Sequence, residues 1–264
     1  MLQAEINIGT IGHVDHGKTT LVAGLTKKWT DTHSEEIKRG ITIKLGYADV
    51  VFRKCEKCEG VDAYGTSEKC PNCQSTTKIE RKISFVDSPG HETLMATVIA
   101  ASSIMDGALF VIAANEKCPQ PQTKEHLMVL EAAGIKNIVI AQNKIDLVTK
   151  QRALESYREI SDFLKGSRYE NAQIIPTAAH SDKSLSALIE AIETSIPTPK
   201  RDVLADPIMY IARSFDINKP GAKIDRLIGA VFGGSITKGK FKIGDEIEIS
   251  PGIVKKKKDK ETYE

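Results

Sequence analysis

Eight residues near the start of the chain, Gly12-His13-Val14-Asp15-His16-Gly17-Lys18-Thr19, restrict the fold more than any other feature. They match G-x-x-x-x-G-K-[ST] and lie between an extended apolar run, Ile6-Asn7-Ile8-Gly9-Thr10-Ile11, and a segment with helical periodicity. A strand, a glycine-rich turn and a helix in that order make a phosphate cradle. Backbone N–H groups of Asp15, His16, Gly17, Lys18, Thr19 and Thr20 wrap the α/β-phosphates, and the helix dipole favours the negative charge. Lys18 is placed to bridge the β- and γ-phosphates, and the Thr19 hydroxyl to ligate Mg²⁺.

The rest of the chain fits an α/β protein built around that loop. From residue 5 to about 196, β-branched runs near Ile6, Phe85, Leu109, Ile138 and Ile174 are each followed by a helical segment, which implies a parallel sheet covered on both faces. Residues 43–52 also read as a strand, but they lead to the Phe85 strand through a cysteine-rich insert and no helix, so the two strands should pair antiparallel. Pro197-Thr198-Pro199-Lys200-Arg201 reads as a stiff linker. Beyond it, β-like runs at 208–215, 227–232 and 241–249, broken by turn residues, predict a small β-barrel. The expected division is a nucleotide domain over 1–200, with the cysteine-rich insert as a knuckle at 55–73, and a β-barrel domain over 201–264. Lys255-Lys256-Lys257-Lys258 is expected to be a solvated loop or frayed end.

Composition narrows the setting. The 264 residues are 41% hydrophobic, enough for one large core and a smaller one, and a net charge of +2 does not advertise nucleic-acid binding. The longest apolar stretch, 108–114, is too short to cross a bilayer, and the first strand leaves no room for a signal sequence; a cytoplasmic chain with no membrane partner is expected.

Two further motifs follow the loop. Asp87-Ser88-Pro89-Gly90 closes a predicted strand, where a carboxylate can hold Mg²⁺ through water and the Gly90 amide can sense a γ-phosphate. Asn143-Lys144-Ile145-Asp146 ends another, putting the Asp146 carboxylate where it accepts from N1–H and N2–H₂ of guanine; a site built on such acceptors rejects the wrong base by roughly 10⁴. The order of the three motifs makes GTP, rather than ATP, the expected nucleotide. Four of the five cysteines, Cys55, Cys58, Cys70 and Cys73, form two Cys-x-x-Cys pairs, a spacing that suits a structural tetrahedral Zn²⁺ better than two disulfides in a reducing compartment. The short insert has no core of its own, and metal binding contributes on the order of 10–16 kcal/mol to such modules.

With Gly-His-Val-Asp-His-Gly-Lys-Thr, Asp-Ser-Pro-Gly-His and Asn-Lys-Ile-Asp in place, the chain resembles the translational GTPases. Within them it is similar to the gamma-subunit family of archaeal and eukaryotic translation initiation factor 2. That similarity rests on His33-Ser34-Glu35-Glu36-Ile37-Lys38-Arg39-Gly40-Ile41-Thr42-Ile43, on Ala114-Asn115-Glu116-Lys117-Cys118-Pro119-Gln120-Pro121-Gln122-Thr123 and on Arg213-Ser214-Phe215-Asp216-Ile217-Asn218-Lys219-Pro220-Gly221. The resemblance implies that Thr42 is the first-switch threonine that joins Thr19 on Mg²⁺, that His91 orients or activates the attacking water, and that a second Mg²⁺ lies near Asp15 and Gly40. It places Ala178, Ala179 and His180 in the guanine-contacting loop, with Ala178 where the family has serine. The knuckle, joining the strand after Thr42 to the strand before Asp87, is expected to buttress the switches or present a partner surface. Trp29, closing the first helix, reads as a packing residue, and His33, His126 and His180 as surface or packing residues; for His13 and His16 the backbone matters more than the ring.

The resemblance also implies alpha and beta subunits, initiator methionyl-tRNA and the small ribosomal subunit as partners, and GTP hydrolysis as the reaction. A selenocysteine-specific or other elongation-type carrier, or a nucleotide-regulated scaffold with negligible hydrolysis of its own, are the alternatives. The family has a second β-barrel that this sequence does not contain, so an incomplete chain is expected.

Overall fold

A computed structural model describes residues 3–31, 36, 38, 42–219, 221–252, 254–257 and 260–263. Its centre is strand β1 (Ile6–Ile11), whose near-continuous apolar run is covered on both faces, as strands in parallel sheets are. Around it lie β2 (Gly46–Lys54), β3 (Tyr64–Gly65), β4 (Lys78–Asp87), β5 (Gly107–Ala113), β6 (Ile138–Asn143) and β7 (Ile174–Pro176) in the order β3-β2-β4-β1-β5-β6-β7. β1 pairs parallel with β4 and β5, and β6 and β7 extend the parallel ladder. β2 runs antiparallel to both β4 and β3, so the expected hairpin is present.

Helix α1 (Lys18–Thr26) and helix α5 (Asp182–Ser195) cover one face through Leu21, Val22, Leu25, Leu185, Leu188 and Ile192, packed on Ile8, Phe52 and Phe85. Helices α2 (Met95–Ser102), α3 (Pro121–Ala132) and α4 (Lys150–Leu164) cover the other through Val98, Leu127, Leu130, Ile160 and Leu164, packed on Phe110 and Ile140. After β1 the chain lays down β2 and β3 on one side, returns inward to β4 beside β1, then crosses to β5 on the other side. Beyond the carboxyl ends of these strands that reversal opens a crevice, the usual ligand position of such sheets.

β2 begins at Gly46 rather than at residue 43, because the Ile43 and Lys44 N–H groups donate to Glu36 Oε1 (3.1 and 2.9 Å) instead of to a neighbouring strand. The residues after the linker form two antiparallel ladders: β8 (Ile208–Asp216) with β9 (Ala230–Lys238), and β10 (Val254–Lys257) with β11 (Lys260–Tyr263). Two expectations change here. The 241–249 run is not a strand: Lys242 N–H donates to Asp245 Oδ2 (2.7 Å) and Gly244 takes φ +95°, which folds the run into a turn. The lysine run is not a loop, since Lys255, Lys256 and Lys257 pair with Thr262, Glu261 and Lys260; Lys258 lies outside the described residues.

The linker is held to the nucleotide domain. The Arg201 guanidinium grips both Asp106 oxygens (2.8 Å each) and donates to the Ile236 carbonyl (2.9 Å). Arg81 of β4 secures the end of α5 by donating to Glu193 Oε1 (2.8 Å), the Ile192 and Ile196 carbonyls (3.1 and 2.7 Å) and Thr198 Oγ1 (3.2 Å). Replacing Arg81 with Met would leave Glu193 buried and uncompensated, and breaking a buried pair in this way costs about 3–5 kcal/mol. Urea denaturation followed by circular dichroism is expected to show that loss; a change below about 1 kcal/mol would mean the network is immaterial to stability.

Candidate functional site

The turn after β1 holds its shape by several tertiary contacts. Gly12 (φ +140°) sits so close to β5 that a Cβ would lie 2.2 Å from the Val111 carbonyl oxygen, and its N–H donates to His126 Nδ1 (2.9 Å). Accepting at Nδ1 leaves the proton of the neutral ring on Nε2. His16 is equally buried, its Nδ1 3.2 Å from the Val111 carbonyl oxygen and its Nε2 3.5 Å from Glu116. Burial holds both rings down at about 3, so they are neutral at pH 7. The ring of His16 therefore shapes the loop along with its backbone, and His126 is a loop anchor as well as a packing residue. Gly17 (φ +84°) has no room for a Cβ, which would meet Asn143 Nδ2 at 2.6 Å; that same nitrogen donates to the His16 carbonyl (2.9 Å).

In front of the loop is a cavity of about 400 Å³ lined by Val14, Asp15, Gly17, Lys18, Thr19, Thr20, Trp29, Asp31, Thr42, Gly90, His91 and Lys144. Nine residues singled out from sequence thus meet in one place: Asp15, Gly17, Lys18, Thr19, Thr20, Thr42, Gly90, His91 and Lys144. Asn143 lies buried behind the loop and Ala178 is also buried, while Asp146 and His180 are exposed near the same sheet edge and Ala179 is half-buried. Ser184 Oγ accepts from the Ala178 N–H (3.1 Å) and donates to the Ala178 carbonyl (2.8 Å), so a hydroxyl from the first turn of α5 reaches this loop although residue 178 lacks one. Gly40 lies outside the described residues. Trp29, expected inside the fold, follows the end of α1 and is 52% exposed at the cavity wall. The left-handed cap at Lys27 stops the helix early and turns the chain outward.

Electrostatics converge on Asp87. Its carboxylate is fully buried, and Oδ2 accepts from Thr19 Oγ1 (2.8 Å) and Thr30 Oγ1 (2.6 Å), whereas Oδ1 has no partner. Burial pushes the group up to about 6 against the pull of those hydroxyls and of Lys18. Lys18, also buried, is pushed down to about 8 and donates to the His13 carbonyl (2.8 Å). Thr19 Oγ1 and Thr42 Oγ1 are 3.0 Å apart. Adjacent oxygens around an octahedral Mg²⁺ with Mg–O of 2.0–2.1 Å are separated by about 2.9 Å, so the two hydroxyls and the orphaned Asp87 oxygen suit that ion. Gly90 closes over the loop: a Cβ there would be 2.8 Å from Val14 N.

At the opposite end of the β2–β4 hairpin, the four cysteine sulfurs all lie within 4.8 Å of one another, with Cys55 and Cys73 at 3.4 Å and Cys58 and Cys70 at 3.6 Å. None is a disulfide. Tetrahedral zinc with Zn–S near 2.3 Å sets sulfurs about 3.8 Å apart, a good match. Bonds from Ser75 hold the Cys73 thiol down at about 6, toward the thiolate that a metal requires. The turn 60–63 and β3 pack on α5, and residues 63–67 with Cys70 face α1 and α5 across a groove. The knuckle therefore braces the helices of one face.

Residues 3–198 match the model of the elongation factor Tu GTP-binding domain. This chain belongs to that family. Its GTP-binding domain and the strands that follow are 60% identical, over 99% of the chain, to translation initiation factor 2 subunit gamma of Methanothermobacter thermautotrophicus, of which 64% is covered. The same subunit of Archaeoglobus fulgidus is 61% identical over 94% of this chain and 59% of that protein. The chain thus spans about three fifths of the length of these relatives. Among solved structures, a bacterial selenocysteine-specific elongation factor, EF-Sec, superposes with a TM-score of 0.72 at 28% identity, covering 94% of this chain and 37% of that one. The elongation factor SelB of Methanococcus maripaludis with the GTP analogue GppNHp gives a TM-score of 0.67, also at 28% identity, with 95% and 45% covered. A GTP-binding domain of this family implies a guanine nucleotide with Mg²⁺. No helix among the described residues is long and apolar enough to cross a membrane.

The sulfur geometry generates a prediction that does not depend on nucleotide. Purified chain should carry one zinc by elemental analysis, and Cys58→Ser should lower both the zinc content and the melting temperature. Full zinc occupancy in Cys58→Ser would contradict a four-thiolate site.

Proposed function

We propose that this chain acts in a translation initiation factor 2 gamma subunit: it binds GTP, carries initiator methionyl-tRNA to the small ribosomal subunit in company with alpha and beta subunits, and hydrolyses the nucleotide. The observation that carries this reading is the 60% identity across 99% of the chain, held together with an intact set of loop and switch residues around one cavity.

In this assignment the N–H groups of residues 15–20 and the Lys18 ammonium hold the phosphates, and Asp146, with Asn143 and Lys144, reads guanine beside Ala178, Ala179 and His180. Thr19, Thr42 and Asp87 hold Mg²⁺, which when bound neutralises charge between the β- and γ-phosphates. A second ion would be held by Asp15, which lines the cavity, and Gly40. Cys55, Cys58, Cys70 and Cys73 hold structural zinc. The chain works in the cytoplasm.

His91 lines the cavity with Nδ1 turned to its own turn, accepting from the Thr93 N–H at 3.3 Å and lying 3.0 Å from Thr93 Oγ1. A neutral ring bonded this way carries its proton on Nε2, so it offers a donor that orients the attacking water rather than a base that strips it. Closure of Gly90 and Thr42 on the γ-phosphate orders both switches, and hydrolysis releases them. His91→Ala is expected to keep GTP affinity within about threefold while slowing single-turnover hydrolysis on ribosomal subunits by about 10²-fold or more, the range of a lost transition-state contact. Unchanged turnover in a phosphate-release assay would remove His91 from the chemistry.

A selenocysteine-specific elongation factor is the second reading, favoured by the fold of EF-Sec at a TM-score of 0.72, but its 28% identity is less than half that of the gamma subunits. Filter binding of the GTP-loaded chain should favour initiator methionyl-tRNA over selenocysteinyl-tRNA and elongator methionyl-tRNA. The reverse preference would transfer the assignment to the elongation factor.

A further inference from the structure

Asp31 lines the nucleotide cavity beside Thr19 and Thr42 but belongs to none of the sequence motifs. It is 8% exposed, bonds to Thr42, and leaves Oδ1 without a partner. Asp87 Oδ1 is likewise buried and without a partner, and the Asp31 charge acts on Asp87. Asp31 at the cavity wall and Asp87 behind Thr19 are thus two interacting carboxylates, each with an oxygen that no protein donor satisfies. Lys18 acts on both, yet it is a single charge, and its ammonium stands where the phosphates must come. A bound triphosphate adds more negative charge and engages Lys18. Two desolvated carboxylates facing a polyphosphate must be neutralised by protons or by a cation among them, and the divalent cation that accompanies a triphosphate meets both.

We propose that Asp31 is a second carboxylate of the Mg²⁺ centre, so that the centre draws on the segment just ahead of the first switch as well as on Thr19, Thr42 and Asp87. The proposal rests on the nucleotide–Mg²⁺ reading of this cavity. Asp31 ties the exit of α1 to the cation, and through Thr42 it ties the cation to the first switch. Mg²⁺ binding and the joint placement of Asp31 and Thr42 are then one event.

The test follows dissociation of a ribose-labelled fluorescent, non-hydrolysable GTP analogue from the full chain across a range of Mg²⁺ concentrations. Asparagine keeps an acceptor for Thr42 and removes only the charge. Asp31→Asn should raise the Mg²⁺ concentration for half-maximal slowing of release by about tenfold, while release in EDTA is unchanged or slower because a repelling charge is gone. Asp87→Asn is the control and should shift in the same direction. A curve for Asp31→Asn that superimposes on wild type while Asp87→Asn is shifted overturns the proposal alone. So does a loss of affinity in Asp31→Asn that is equal with and without Mg²⁺. If wild type itself shows no Mg²⁺-dependent retention, the nucleotide–Mg²⁺ reading falls first and the proposal with it. Asp31→Ser, read by the same outcomes, covers the case in which the asparagine variant does not fold.

Discussion

The carboxylate of Asp87 is the point on which the site turns. It is buried completely, and that costs free energy unless donors reach it. Two do, from different stretches of chain: Thr19 opens α1 and Thr30 follows it. They reach Asp87 only because β4 lies directly against β1 with Thr10 opposite Asp87, a register continued by the bond from Ser88 N–H to the Thr10 carbonyl (3.2 Å). That pairing in turn sets Gly90 and His91 over the phosphate loop. The fixed parts of the cavity stand on strand ends, and the parts expected to move stand on the segments between them.

Behind the loop the chemistry is deliberately neutral in effect. His16 and His126 are buried without charge, so they add nothing to the field in the cavity, where Lys18, the backbone N–H groups and the helix dipole act against the carboxylates of Asp15, Asp31 and Asp87. The two rings serve as polar spacers between β5, α3 and the turn. A charged residue at either place would have to be desolvated, and it would compete with Lys18 for the phosphates.

Much of this was legible in the residues, and the failures have physical causes. The loop, Asp87, Gly90, His91 and the four cysteines carry fixed spacings within short stretches, and the strand–helix alternation carries the parallel sheet. Asp31 and His126 left no such trace. Asp31 acts through a partner across the cavity, and His126 bonds to a residue 114 positions away, a distance no local pattern encodes. Trp29 was misplaced because hydrophobicity argues for burial, whereas the left-handed cap at Lys27 had already ended the helix. The C-terminal region shows the converse: run 241–249 has strand-like composition but a Gly-Asp turn at its middle, and the lysine run enters a ladder because backbone pairing is indifferent to charge along an edge.

The position of Trp29 has an optical consequence. It is the only tryptophan in the chain, half exposed, two residues from Asp31, at the rim of the cavity. The whole intrinsic indole emission of the protein therefore comes from one spot, at the rim of the cavity proposed for nucleotide and cation. Quenching or energy transfer to a ribose fluorophore would read occupancy of that cavity without a label on the protein, so the molecule carries its own gauge of what fills it.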